Sequence, residues 1–161
     1  MRTGVLLAVL LLGVVPAWAG QQRGRPAADF VLPDGAGQTV RLSSLRGTVV
    51  VIDFWASWCE PCMRELPELD RLQKEFAGKV VVLPVSIDKE RSEALATARR
   101  LRLGLRVLLD TDGRVVALYD PPRMPTSYVV DRQGVVRYMH EGFDGPRDIA
   151  RLRRELEELT R

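Results

Sequence analysis

This chain is poor in cysteine and histidine, with two of the first and one of the second among its 161 residues. Both cysteines stand in Trp58-Cys59-Glu60-Pro61-Cys62. A tetrahedral zinc site would need two further ligands, and the sole histidine, His140, is far away in sequence, so a zinc centre is excluded. Met63 rather than histidine follows Cys62, which excludes a c-type haem attachment. Strong charge of one sign is also lacking: 24 basic residues face 21 acidic ones. That balance points neither to nucleic acid nor to an acidic polymer. Arg99, Arg100, Arg102 and Arg106 do cluster, and they read as a solvated helix face and its exit loop rather than an anion site.

Long apolar runs are missing too. Residues 5–15 form the longest, broken once by Gly13, and fall short of the about 20 residues that span a membrane. Arg2 precedes this run, Pro16 ends it, and Ala17-Trp18-Ala19 supplies a small-x-small cleavage pattern. Residues 1–19 therefore read as a signal peptide cleaved before Gly20, with a retained membrane anchor as the alternative. Loss of Arg2 leaves 23 basic against 21 acidic residues, a net charge of about +2.

What is present suits one domain, since 46% hydrophobic residues supply a single core. Residues 20–28 are polar, contain Gly24 and Pro26, and predict a flexible lead-in to a domain over 29–161. Residues 29–32 and 38–42 flank a turn-rich stretch and predict a hairpin. The β-branched run 48–54 predicts a strand buried on both faces. Met63, Leu66, Leu69, Leu72 and Phe76 recur at three- and four-residue spacing, so 59–76 is a helix, with Pro61 in its first turn and Pro67 as a kink. A second strand over 80–87 completes a βαβ unit. Further on come a charged helix over 89–101, a short strand over 106–109 and a brief helical piece at 115–119. Strands at 127–130 and 135–140, joined by a tight turn, and an amphipathic helix over 146–159 finish the chain. The fold class is α/β: a central mixed sheet, helices on both faces, and an N-terminal hairpin extension.

A structural disulfide would close so small a loop that it constrains the unfolded chain by only about 2 kcal/mol. A redox role accounts better for the pair. Cys59 precedes a helix, where free N–H groups and the positive end of the dipole favour its thiolate, the form that attacks disulfides. Cys62, one turn further in, suits a resolving thiol. Glu60 between them disfavours the thiolate and leans the pair toward a reductant.

With Phe54-Trp55-Ala56-Ser57-Trp58-Cys59-Glu60-Pro61-Cys62 and Pro67, the chain resembles the thioredoxin superfamily, nearest to its exported TlpA/ResA-like branch. The resemblance spans about residues 27–143 and implies a thioredoxin-like fold. It implies that Met124-Pro125-Thr126 is a cis-proline loop facing the cysteines. The substrate groove would then lie between Trp58, Glu60 and Pro61 on one side and Met124, Pro125 and Thr126 on the other. It further implies that Glu65 tunes proton transfer near the thiols, against the plainer reading of a helix-surface charge. Asp53 matches a buried carboxylate beneath the second cysteine, and a charge in an apolar strand is costly without work or a partner. Trp55 is expected to pack under the loop, and His140 reads as an ordinary strand histidine.

The activity implied is thiol–disulfide exchange by an exported, periplasmic monomer with no cofactor beyond its own Cys59–Cys62 disulfide. Its partners would be disulfide-containing client proteins, with haem-attachment cysteines of apocytochrome c or copper-site cysteines as clients, and a membrane electron donor. Leu118-Tyr119-Asp120-Pro121-Pro122-Arg123 departs from the run that some cytochrome c maturation members carry before the cis-proline. Two alternatives stay open: a dithiol oxidase, and a copper chaperone using Met63 or Met124. Peroxiredoxin chemistry is disfavoured, because Ala56 stands where a threonine or serine three residues before the reactive cysteine is needed.

Overall fold

Strand β3 (Val49–Trp55) is buried at every position, as a β-branched run predicts for the middle of a sheet. On one side it pairs in parallel with β4 (Val80–Ser86), Asp53 facing Pro84 and Trp55 facing Ser86. Between them in sequence runs α1 (Glu60–Glu75), the helix of the expected βαβ unit. On its other side β3 pairs antiparallel with β6 (Thr126–Val130), which pairs antiparallel with β7 (Val136–Glu141). The two-residue β5 (Leu108–Leu109) closes the opposite edge, so the order is β5-β4-β3-β6-β7. The structure is a computed structural model that describes residues 20–161; the signal peptide expected over 1–19 lies outside the described residues.

Two layers cover this sheet. On one face α1 and α4 (Pro146–Leu159) press Leu69, Leu72, Ile149, Leu152 and Leu156 onto Val49, Val51, Val82 and Val129. Each such side chain contributes about 1.5–3 kcal/mol through burial. On the other face Phe54, Tyr128 and Phe30 each meet Tyr119 of α3 (Arg114–Tyr119), with edge-on and tilted ring contacts. The hairpin of β1 (Val31–Pro33) and β2 (Thr39–Arg41) adds Leu32 and Val40 to that layer. At the β5 edge, Ala94 of α2 (Arg91–Arg100) joins a third cluster that contains both cysteines.

Some boundaries differ from the sequence pattern. Glu90 stays extended (φ −96°, ψ 111°), so α2 begins at Arg91 instead of residue 89. The strand expected over 106–109 shrinks to two residues. Arg106 instead turns its guanidinium to Asp34, Nε donating to Oδ2 at 2.6 Å, and pins the hairpin to this edge. Helix α1 runs unbroken through Pro67. The lead-in, expected to be flexible, is tied down: Gln21 N donates to Tyr119 O, Gly24 N to Val136 O and Ala27 N to Gly134 O. Ala27 is buried, so packing starts before residue 29.

Candidate active site at the start of α1

Cys59 caps α1 in an extended conformation, and its Sγ accepts from the backbone N–H of Cys62 at 3.4 Å. The two sulfurs form a disulfide. Pro61 lies in the first turn, where its missing N–H removes no intrahelical bond. Cys62 is fully enclosed and Cys59 nearly so, while the neighbouring Trp58 is 69% exposed. Glu60 is exposed in the same turn. The geometry thus gives the pair one outward edge, at Trp58 and Cys59, and one inward side, at Cys62.

The entry segment is held by Asp88, just past β4. Its carboxylate accepts from the Ser57 N–H at 3.1 Å, the Ser57 hydroxyl at 2.7 Å and the Ser86 hydroxyl at 2.8 Å. Trp55 is buried beneath this segment. Across from it, the Met124–Pro125 bond is cis, and Met124 packs against the cluster that holds both cysteines. Pro125 is buried. Thr126 is fully enclosed, with its hydroxyl donated to Arg123 O at 2.7 Å, so it braces the loop and presents no free side chain to a groove.

Behind Cys62 lies a buried acidic pair. Glu65 follows Cys62 by three residues, which places it on the same face of α1 one turn on. It is only 4% exposed, so it is not a helix-surface charge. Asp53 is fully buried in β3. The Ser127 hydroxyl of β6 lies 2.9 Å from Asp53 Oδ1 and 3.4 Å from Glu65 Oε1, and the second oxygen of each carboxyl is buried without a partner. Burial holds Asp53 above the ordinary carboxyl range against the lowering effect of Ser127. Burial and then the nearby Asp53 charge do the same for Glu65. One hydroxyl has one proton to donate, so it satisfies both carboxyls only when one of them is protonated and donates back. The arrangement is a buried acidic pair, with Glu65 one helical turn from the inner cysteine.

Ser127, Asp88 and Ser57 were not singled out by the sequence. Ser127 does carry a signal, since it is a hydroxyl in an otherwise apolar strand, as Asp53 is a charge in one. His140 has a partner of its own: its Nε2 lies 2.6 Å from Glu155 Oε2 of α4.

Residues 23–139 match the model of the AhpC/TSA family. The chain is 36% identical over 126 residues to the thioredoxin-like protein YneN of Bacillus subtilis, covering 76% of this chain and 74% of that protein. It is 32% identical over 144 residues to the thiol-disulfide oxidoreductase ResA of the same organism, covering 84% and 80%. A crystal structure from Chlorobium tepidum assigned to the thiol:disulfide interchange protein DsbE superposes with a TM-score of 0.83 at 34% identity, over 88% of this chain and all of that one. The chain belongs to the AhpC/TSA family, has a thioredoxin-like fold, and is a thiol–disulfide oxidoreductase.

Proposed function

We propose that the protein is an exported dithiol reductant of disulfides in client proteins. The Cys59 thiolate attacks a client disulfide, forming a mixed disulfide and releasing one client thiolate. Cys62 then loses its proton and attacks the Cys59 sulfur, which releases the second client thiolate and closes the Cys59–Cys62 disulfide. A membrane thiol-electron donor returns two electrons and restores the dithiol. Trp58, Glu60 and Pro61 border the client on the helix side, Met124 and the cis-proline loop on the other.

The observation that carries this reading is the buried Asp53–Glu65 pair one turn from Cys62. A base there accepts a proton from the resolving thiol, and a raised carboxyl pKa matches a base to neutral working pH. Deprotonation of Cys62 is needed when the dithiol gives up electrons, and the same pair returns the proton in the reverse step. The direction of a reductant is favoured by Glu60, which disfavours the thiolate and so favours the disulfide. Export rests on the leader pattern of residues 1–19. Haem-attachment cysteines of an apocytochrome c, or cysteines awaiting copper, are the clients suggested by the sequence resemblance.

The test is covalent trapping. Cys62→Ala, expressed in the exporting cell, should accumulate client proteins bound to Cys59 through reducible bonds. A Cys59–Cys62 reduction potential near about −270 mV supports the reductant, and one near about −120 mV would assign an oxidase instead.

A further inference from the structure

Sheet register returns the single histidine to the site. Ser127 stands directly opposite Asp53 of β3 and directly opposite His140 of β7. Opposed residues in an antiparallel pair project from one face, with Cβ atoms about 4.5–5.5 Å apart. That face is the one under α1 and α4: Ser127 bonds Asp53 and reaches Glu65 of α1, and His140 meets Glu155 of α4. A polar row of Asp53, Ser127 and His140 therefore crosses the sheet, roofed by Glu65 and Glu155. The surrounding layer is apolar, with Val51, Val129, Leu69 and Ile149.

We propose that this row is a proton path, in which Ser127 and His140 connect the buried carboxyls behind Cys62 to Glu155 and to solvent at the β7 edge. The inference rests on the proposed role of Asp53 and Glu65 as acceptors of the Cys62 proton. Asp53 is sealed from water and Glu65 nearly so, and a docked client covers the Trp58 edge, so a proton taken from Cys62 needs another way out. The His140 and Glu155 side chains are 9% and 15% exposed, and β7 is the last strand of the sheet, so this is where the row meets solvent.

The step balances simply. As the Cys62 sulfur bonds to Cys59 and the client leaves as a thiolate, the Cys62 proton moves to the carboxyl pair. In this path it passes by way of Ser127 to His140, the residue opposite it in the register, and from the ring, which meets Glu155, to solvent. One proton leaves for each disulfide closed, and no electrons travel along the row. Ser127 and His140 touch no sulfur and act through the carboxyls, as positioning residues. His140 meets Glu155 of α4 and stands opposite Ser127 of β6. The groups facing Glu65 are Asp53, Ser127 and, from α4, Asp148. Arg64, Glu68 and Arg153 line the open cleft where α1 meets α4.

The experiment mixes reduced protein with a fluorescent peptide disulfide in weak buffer and follows the second, resolving phase against pH. His140→Gln should slow that phase about tenfold and move its pH profile, and added imidazole should restore it. Ser127→Ala should slow it similarly, with Ser127→Thr keeping the wild-type profile. Glu155→Gln, which keeps the shape of the side chain, is the second variant should His140→Gln fold poorly, and the same slowing is expected. Profiles for His140→Gln and Glu155→Gln that superpose on wild type overturn the path, as does a loss that imidazole leaves uncorrected. Glu65→Gln and Asp53→Asn separate the two proposals. An unchanged profile in both removes the carboxyl role itself, whereas a changed profile in them beside an unchanged one in His140→Gln removes the path alone.

Discussion

Asp88 accepts both the backbone N–H and the hydroxyl of Ser57, at 3.1 and 2.7 Å, and so ties the segment entering the cysteine pair to the end of β4. Because 31 residues separate the two, the approach to Cys59 is set by a tertiary contact and not by the local turn alone. The Ser86 hydroxyl completes the clamp from inside the sheet.

Asp88→Ala should therefore be costly. It leaves the buried Ser86 hydroxyl without an acceptor for its proton and frees Ser57, for a loss of about 2–3 kcal/mol in denaturant unfolding. Turnover of a peptide disulfide should fall as well, because Cys59 is no longer held. A variant as stable and as active as wild type would show that the clamp is incidental.

Stability should depend on pH through the Asp53–Glu65 pair. Both carboxyls are raised in the folded protein, so above the unfolded carboxyl pKa of about 4 the native state holds more protons than the unfolded chain. Their contribution is fully present below that pH and is lost as pH climbs through the raised folded values. Glu65→Gln should flatten this decline, seen as a smaller drop in urea midpoint between pH 5 and pH 9 than wild type shows. Parallel midpoints for the two proteins would sink the assignment.

Trp58→Ala should separate recognition from folding. The side chain is 69% exposed, so stability should stay within about 0.5 kcal/mol of wild type. If Trp58 borders the client, kcat/KM toward a protein disulfide should fall about tenfold or more, as for an aromatic anchor. Equal losses toward a small dithiol-exchange reagent would point to altered chemistry instead.

Tyr119→Phe probes the lead-in. The Tyr119 hydroxyl donates to Ala28 O at 2.7 Å, and its backbone carbonyl accepts from Gln21 N. Removing the hydroxyl should cost about 1–2 kcal/mol and raise hydrogen exchange around residues 21–28. No change in exchange there would show that the remaining backbone bonds suffice.

Much of this architecture was readable along the chain because it rests on local periodicity. The β-branched run of β3, the three- and four-residue spacing in α1 and the turn between β6 and β7 each decide their own element. In that turn Gly134 adopts φ +84° and Asp131 Oδ1 accepts from Gln133 N and Val135 N. The cysteine pair was legible for the same reason, its two members lying within one helical turn. The depth of Glu65 was not: the apolar spacing of α1 does not say which polar residue at the stripe's margin is sealed by β6 and α4.

By itself the sequence determined the dithiol, its place at the start of a helix, and the order of strands and helices. Those follow from residue types and short spacings. The tertiary structure alone decided what stands behind the dithiol. Ser127 meets Asp53 across 74 residues and Glu65 across 62, and register sets it opposite His140. Strand register depends on how distant segments pair, and a slip of one residue would turn the whole row to the other face of the sheet.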